Sequence, residues 1–199
     1  MCDVTLQMGS SLILSGPSSC GKSTFVTHLI KSRNTMFDRE IQNVYVVCSN
    51  IQSMYNDLFK SGHIRELFYK MPSRNEILEL AYINKLKGGA ILILDDLLTE
   101  ISNSNLVIQE LFTEIAHHND LTVVLCVQNL FYKGGIYRTL SLNASYIIPF
   151  KHPRDEVKLK NDNDVGMFIK RLGDSFFLFL ATNQSYGISK FCEKSKIFN

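Results

Sequence analysis

The chain has no apolar run near the roughly twenty residues that a membrane-spanning helix needs, and Met1 to Ser10 lacks a basic stretch followed by an apolar one. Those two absences predict a soluble protein that is neither secreted nor held in a membrane. Paired cysteines are missing too. Cys2, Cys20, Cys48, Cys126 and Cys192 are scattered without C-x-x-C spacing, which suits reduced thiols inside a cell. Excess charge is small: a net charge of +2 removes the global footprint of a protein that coats nucleic acid or an anionic surface, so any contact with DNA must be local. There is no internal repeat and no low-complexity tract.

What is present is enough apolar sequence to build one core. At 199 residues and 45% hydrophobic, the chain is expected to form a single domain over 1–199. Its core would cover about 9–155 and a C-terminal extension about 156–192.

The most specific signal is Gly16-Pro17-Ser18-Ser19-Cys20-Gly21-Lys22-Ser23-Thr24, which fits G-x-x-x-x-G-K-[ST] at every fixed position. Leu12-Ile13-Leu14 precedes it as a buried strand and Phe25 to Ile30 follows with helical spacing, so the strand, loop and helix that such a cradle needs are all in place. Gly16 and Gly21 permit close backbone approach, which lets successive N–H groups face phosphate oxygens at the positive end of the new helix. Lys22 is the expected cation for the β- and γ-phosphates of ATP, and the Ser23 hydroxyl the expected ligand of Mg²⁺. Cys20 has two readings: a small loop residue, or a thiol made oxidisable by the helix N-terminus.

Further along, Asn43 to Cys48 reads as a second buried strand and Ser49 to Gly62 as loop with a helical turn near the nucleotide edge. Ile64 to Tyr69 and Ser73 to Leu86 read as helices. The second of these opens on a serine cap with Glu76 three residues later. Ala90 to Leu94 is an apolar strand ending in Asp95-Asp96, so both carboxylates should emerge where open α/β sheets bind ligands. This is a Walker B pattern, in which Asp95 would hold Mg²⁺ and Asp96 would polarise an attacking water.

A helix over Ser104 to His117 leads to the strand Leu121 to Val127, which ends at Gln128. That amide reads equally as a strand-terminal turn residue or as a sensor of the γ-phosphate. A loop and short helix within Phe131 to Leu142 carry Arg138, and Tyr146 to Phe150 forms a fifth strand with Pro149 at a bulge or ladder end. Lys151 to Asp164 is charged and should be exposed, Val165 to Leu172 suits a short helix, and Phe176 to Phe191 suits a terminal β-hairpin.

Taken in order, the two Walker elements, the strand ending in glutamine, and the runs Leu94-Asp95-Asp96-Leu97-Leu98, Val127-Gln128-Asn129-Leu130-Phe131, Arg138-Thr139, Ser141-Leu142-Asn143 and Phe150-Lys151-His152-Pro153-Arg154-Asp155 resemble the FtsK/HerA superfamily. Within it the similarity is to viral genome-packaging ATPases of poxvirus-like and Polinton/adintovirus-type elements, over most of Leu12 to Asp155.

The resemblance implies a P-loop fold of the additional-strand (RecA-like) class: a mainly parallel sheet flanked by helices, with the Cys126 strand between the Ile13 and Ile93 strands and Gln128 acting as sensor. It implies a ring, hexameric or pentameric, that hydrolyses ATP with Mg²⁺ to drive double-stranded DNA into a capsid, with a capsid or portal protein as partner. The setting it implies is the cytoplasm or nucleus of an infected cell, or the virion. Relatives usually carry an arginine shortly before the sensor strand that acts on the neighbouring subunit's nucleotide. Ala116 to Asp120 contains none, which leaves Arg138 or Arg154 for that role, with Arg138 preferred. His117 and His118 read as helix C-terminal residues rather than metal ligands. Two other activities stay open: a small-molecule phosphotransferase, and a nucleotide-binding assembly switch with little turnover.

Overall fold

The computed structural model describes residues 5–50, 52–97, 105–129 and 135–150. The expected C-terminal hairpin, the charged segment after Phe150 and Arg154 lie outside the described residues. Five apolar runs become strands because each is buried along nearly its whole length: β1 (Ser11–Ser15), β2 (Asn43–Cys48), β4 (Ala90–Asp95), β5 (Leu121–Val127) and β6 (Tyr146–Pro149). With β3 (Glu66–Phe68) they form a six-stranded sheet in the order β3-β2-β4-β5-β1-β6, parallel at every pairing.

Strand alternation divides the core into two layers. Ile13, Tyr45, Val47, Leu92, Leu94, Val123 and Leu125 face one side, packed by helix α4 (Arg74–Lys85), by a helical run comprising α5 (Asn105–Glu110), a π-helical turn (Leu111–Ile115) and α6 (Ala116–His118), and by α7 (Gly135–Asn143). Leu12, Leu14, Val44, Val46, Ile91, Ile93 and Val124 face the other, against Val26, Leu29 and Ile30 of α1 (Lys22–Lys31) and Tyr55 and Leu58 of α3 (Ser53–Lys60). A short helix α2 (Arg33–Met36) continues from α1 and buries nothing. Covering both faces is what a parallel sheet requires. No described helix is long and apolar enough to cross a membrane.

The cap expected at Ser73 is present: its hydroxyl accepts from the Glu76 N–H while the Glu76 carboxylate accepts from the Ser73 N–H at 2.7 Å. Pro149 ends β6, whose ladder among the described residues is with β1, as suits a residue that cannot donate.

Two expectations are corrected. Ile64 to Tyr69 is not a helix. Its central residues form β3, paired Tyr45↔Glu66 to Val47↔Phe68, after the Arg65 N–H bonds the Val44 carbonyl at 2.7 Å. A six-residue helix would have to bear the cost of nucleation, whereas extension here adds to an existing ladder and stacks Phe68 on Tyr45. Ser49 to Gly62 is more than a loop with a turn. It contains the eight-residue α3, held down by Tyr55 and Leu58, which are spaced to share a face. Among the described residues the sheet therefore has six strands, one more than the five read before the terminal hairpin.

Candidate functional site

In a parallel sheet all strands end at one edge, and this brings the distant motifs together. Ser15 pairs with Val127 and Asp95 with Cys126, so the phosphate loop, Gln128 and Asp95-Asp96 leave three adjacent strands at the same level. The Gly16 N–H donates to the Val127 carbonyl at 3.1 Å, tying the loop's first residue to the one before Gln128.

The loop itself is shaped by backbone angles. Ser19 (φ 62°) and Gly21 (φ 103°) are left-handed, and Gly21 is the N-cap of α1 with no side chain capping the helix. A helix start leaves its first N–H groups without internal acceptors. Among the described residues those of Lys22, Ser23 and Thr24 take no protein acceptor, which is the form of an anion nest. Gly16 is required by packing: a Cβ there would stand 2.6 Å from the Phe150 Cβ and 2.8 Å from the Cys20 Sγ. Phe150 bonds the Ser15 carbonyl through its N–H and meets Phe25 edge-on, forming the wall behind the loop. Cys20 is buried there, a packing position rather than an exposed thiol. Lys22 Nζ bridges the carbonyls of Gly16 (2.6 Å) and Pro17 (2.8 Å), so its charge is held over the loop's mouth.

Opposite the loop the two aspartates have different surroundings. Asp95 is buried, and its Oδ2 accepts from the Tyr55 hydroxyl at 2.6 Å and from Gln52 Nε2 at 3.3 Å. A buried hydroxyl without a partner costs about 1–3 kcal/mol, so the Tyr55–Asp95 bond removes that cost for both groups. Burial, reinforced by the negative charge of Asp95 among its neighbours, pushes the Tyr55 phenol far above its usual range, and it stays a donor. The thiols of Cys48 and Cys126 are also raised, first by burial and then by Asp95, so both remain neutral. Asp96 is exposed and left-handed (φ 54°), and its carbonyl accepts from Ser49 Oγ at 2.9 Å. A non-glycine residue in that region is held there by its surroundings.

Gln128 is exposed at the end of β5. Arg138 is exposed on α7, and among the described residues no ion pair or hydrogen bond engages its guanidinium. α7, which carries Arg138, packs on the layer opposite α1. His117 and His118 are exposed in the last turn before β5, as expected of helix C-terminal residues. Ser49, Gln52, Tyr55 and Phe150 are site neighbours that motif reading did not single out. The signal available was that β2 ends beside β4, which puts the residues after Cys48 next to Asp95.

The donor set suits Mg²⁺–nucleotide. Among the described residues no group of three His, Cys, Asp or Glu side chains could hold a metal. A serine hydroxyl and one aspartate, Ser23 and Asp95, match a cation that keeps waters and phosphate oxygens as its other ligands.

A parallel sheet with one strand inserted between the phosphate-loop strand and the Asp95 strand defines a P-loop NTPase fold of the additional-strand class. No family model matches the chain, and no curated protein does. Solved structures that it resembles include a KaiC-like protein from the archaeon Pyrococcus horikoshii OT3, 14% identical over 70% of each chain with a TM-score of 0.49. Another is EccC (ATPases 2 and 3) of Thermomonospora curvata in complex with a signal sequence peptide, 14% identical over 74% of this chain, TM-score 0.49. The match spans 31% of that EccC chain.

Proposed function

We propose that this chain hydrolyses ATP and couples hydrolysis to movement of double-stranded DNA, as a packaging motor of a virus or virus-like element. The observation that carries the reading is the juxtaposition at one sheet edge of a phosphate nest, a buried carboxylate, an exposed carboxylate and an exposed amide. The N–H groups at the start of α1 and the Lys22 ammonium would bind the triphosphate, and Ser23 and Asp95 would hold the Mg²⁺ that comes with it. When bound, Mg²⁺ spreads the charge of the β- and γ-phosphate oxygens. Asp96, facing solvent, is the group to accept a proton from the attacking water, and Gln128, one residue past the β-ladder that also holds Gly16, is the group to sense the γ-phosphate and shift its loop.

DNA coupling rests on the ordered likeness to packaging ATPases from Leu94 onward. Self-association into a hexameric or pentameric ring follows from the same likeness, as do contact with a capsid or portal protein and residence in an infected cell. An exposed Arg138 with no hydrogen bond or ion pair to its guanidinium among the described residues fits a residue that acts on a neighbouring subunit. The test is phosphate release with and without duplex DNA across a salt series. Non-specific phosphate contacts dominate such a grip, so stimulation should fall as salt rises. Transfer of the γ-phosphate to a nucleoside or metabolite instead of water would move the assignment to a phosphotransferase.

A further inference from the structure

We propose that Tyr55 is the positioning residue of the metal-binding carboxylate, and that the segment Ser49-Gln52-Tyr55 after β2 is a clamp that sets both aspartates; the inference rests on the nucleotide-binding reading above. Three contacts converge from this one segment. The Tyr55 hydroxyl and Gln52 Nε2 both bond Asp95 Oδ2, and Ser49 Oγ bonds the Asp96 carbonyl. Tyr55 is wholly buried and Asp95 nearly so, which means that no water competes for their bond. A carboxylate offers about four acceptor sites. The clamp takes two on one oxygen and fixes the carboxylate's rotation; with the Cys126 thiol as a further hydrogen-bonding neighbour, acceptor capacity still remains for a cation's water shell.

The Tyr55 ring is anchored independently of its hydroxyl, in the layer formed with Leu58, Val46 and Ile93. Partners of this kind typically hold metal affinity up by about 10–100-fold. The same segment reaches solvent at Ser49 and Ser53, so a displacement of α3 would be transmitted to Asp95.

Tyr55→Phe tests this, because it keeps the ring and deletes the bond. Fluorescent ATP-analogue binding by the full chain is titrated with Mg²⁺, and Mn²⁺ with ADP is followed by electron paramagnetic resonance. The expectation is that Y55F raises the Mg²⁺ concentration for half-saturation about tenfold and broadens the bound-Mn²⁺ signal. Nucleotide affinity in chelator should be unchanged. An unaltered Mg²⁺ midpoint and Mn²⁺ spectrum in folded Y55F overturn the inference. Should Y55F not fold, Gln52→Ala carries the test: a midpoint raised at least about threefold supports the clamp, and an unchanged one overturns it. Absence of Mg²⁺-dependent nucleotide binding in the unaltered chain would instead sink the nucleotide reading itself.

Discussion

The two edges of the sheet are built with the same left-handed backbone turns and use them differently. At the edge where strands begin, Gly9 (φ 74°), Gly88 (φ 90°), Gly89 (φ 95°) and Asp120 (φ 50°) are left-handed. Most protein groups there answer each other: the Gly9 N–H bonds Thr122 Oγ1, Gly89 N–H the Asn84 carbonyl, Ala90 N–H the Asp120 carbonyl, and the Asp120 carboxylate pairs with Arg39 at 3.5 Å, with the buried Ser10 Oγ the exception among the described residues. At the edge where strands end, Ser19, Gly21 and Asp96 are left-handed as well, yet the N–H groups that follow Gly21 take no protein acceptor and the Asp96 side chain faces solvent. Left-handed residues at the first edge, mostly glycines, close turns. At the second they aim polar groups outward, and this asymmetry is the physical ground for placing the ligand there.

Substitutions that damage only one edge sharpen the contrast. The largest effect expected is for Lys22→Ala at the ligand edge. ATP turnover should fall at least about a hundredfold with the circular dichroism spectrum and melting temperature nearly unchanged, because the bonds of Nζ among the described residues stay within its own loop, to the Gly16 and Pro17 carbonyls and the Cys20 sulfur. Asp96→Asn should lower phosphate release by about a hundredfold while nucleotide binding, read by fluorescence titration, persists. Equal loss of binding would mean that Asp96 acts on the ground state.

The opposite edge should respond in stability instead. In Gly89→Ala the new Cβ would stand 2.6 Å from the Asp120 carbonyl in a left-handed backbone, so denaturant unfolding should show a loss of about 1–3 kcal/mol. Turnover per folded molecule should not change. A G89A protein of normal stability and impaired turnover would erase the distinction between the edges.

The smallest effect lies away from both, at the start of α4. Bonds from the Ser73 hydroxyl and N–H hold the Glu76 carboxyl below its usual range. A depressed folded-state value means that this contribution is present above the ordinary glutamate range and is lost as pH falls through the lowered value. Glu76→Gln should therefore flatten the acid limb of melting temperature against pH and leave the neutral region nearly unaltered.

Five strands were legible in the chain because burial on both faces leaves uninterrupted β-branched and leucine-rich runs, whereas the order of three of them came only from the resemblance to packaging ATPases. β3 was not legible: its Glu66-Leu67-Phe68 has no alternation long enough to read, and what makes it a strand is β2 beside it. The amphipathic face of α3 is carried by only two buried residues in eight, which resembles loop until Tyr55 is seen to meet Asp95. That contact joins residues forty positions apart, and no local spacing encodes it. The left-handed turn at Asp96 is equally a product of its surroundings, since the sequence shows only two adjacent carboxylates.

Phosphate release from Mg²⁺–ATP by the full chain, measured with and without duplex DNA at low and high salt, tests the central claim most directly. The account predicts turnover that DNA raises, a stimulation that salt removes, and turnover at least about a hundredfold lower in Lys22→Ala under all of these conditions. Absence of phosphate release from the unaltered protein at every DNA and salt concentration, or turnover that Lys22→Ala retains, would contradict it.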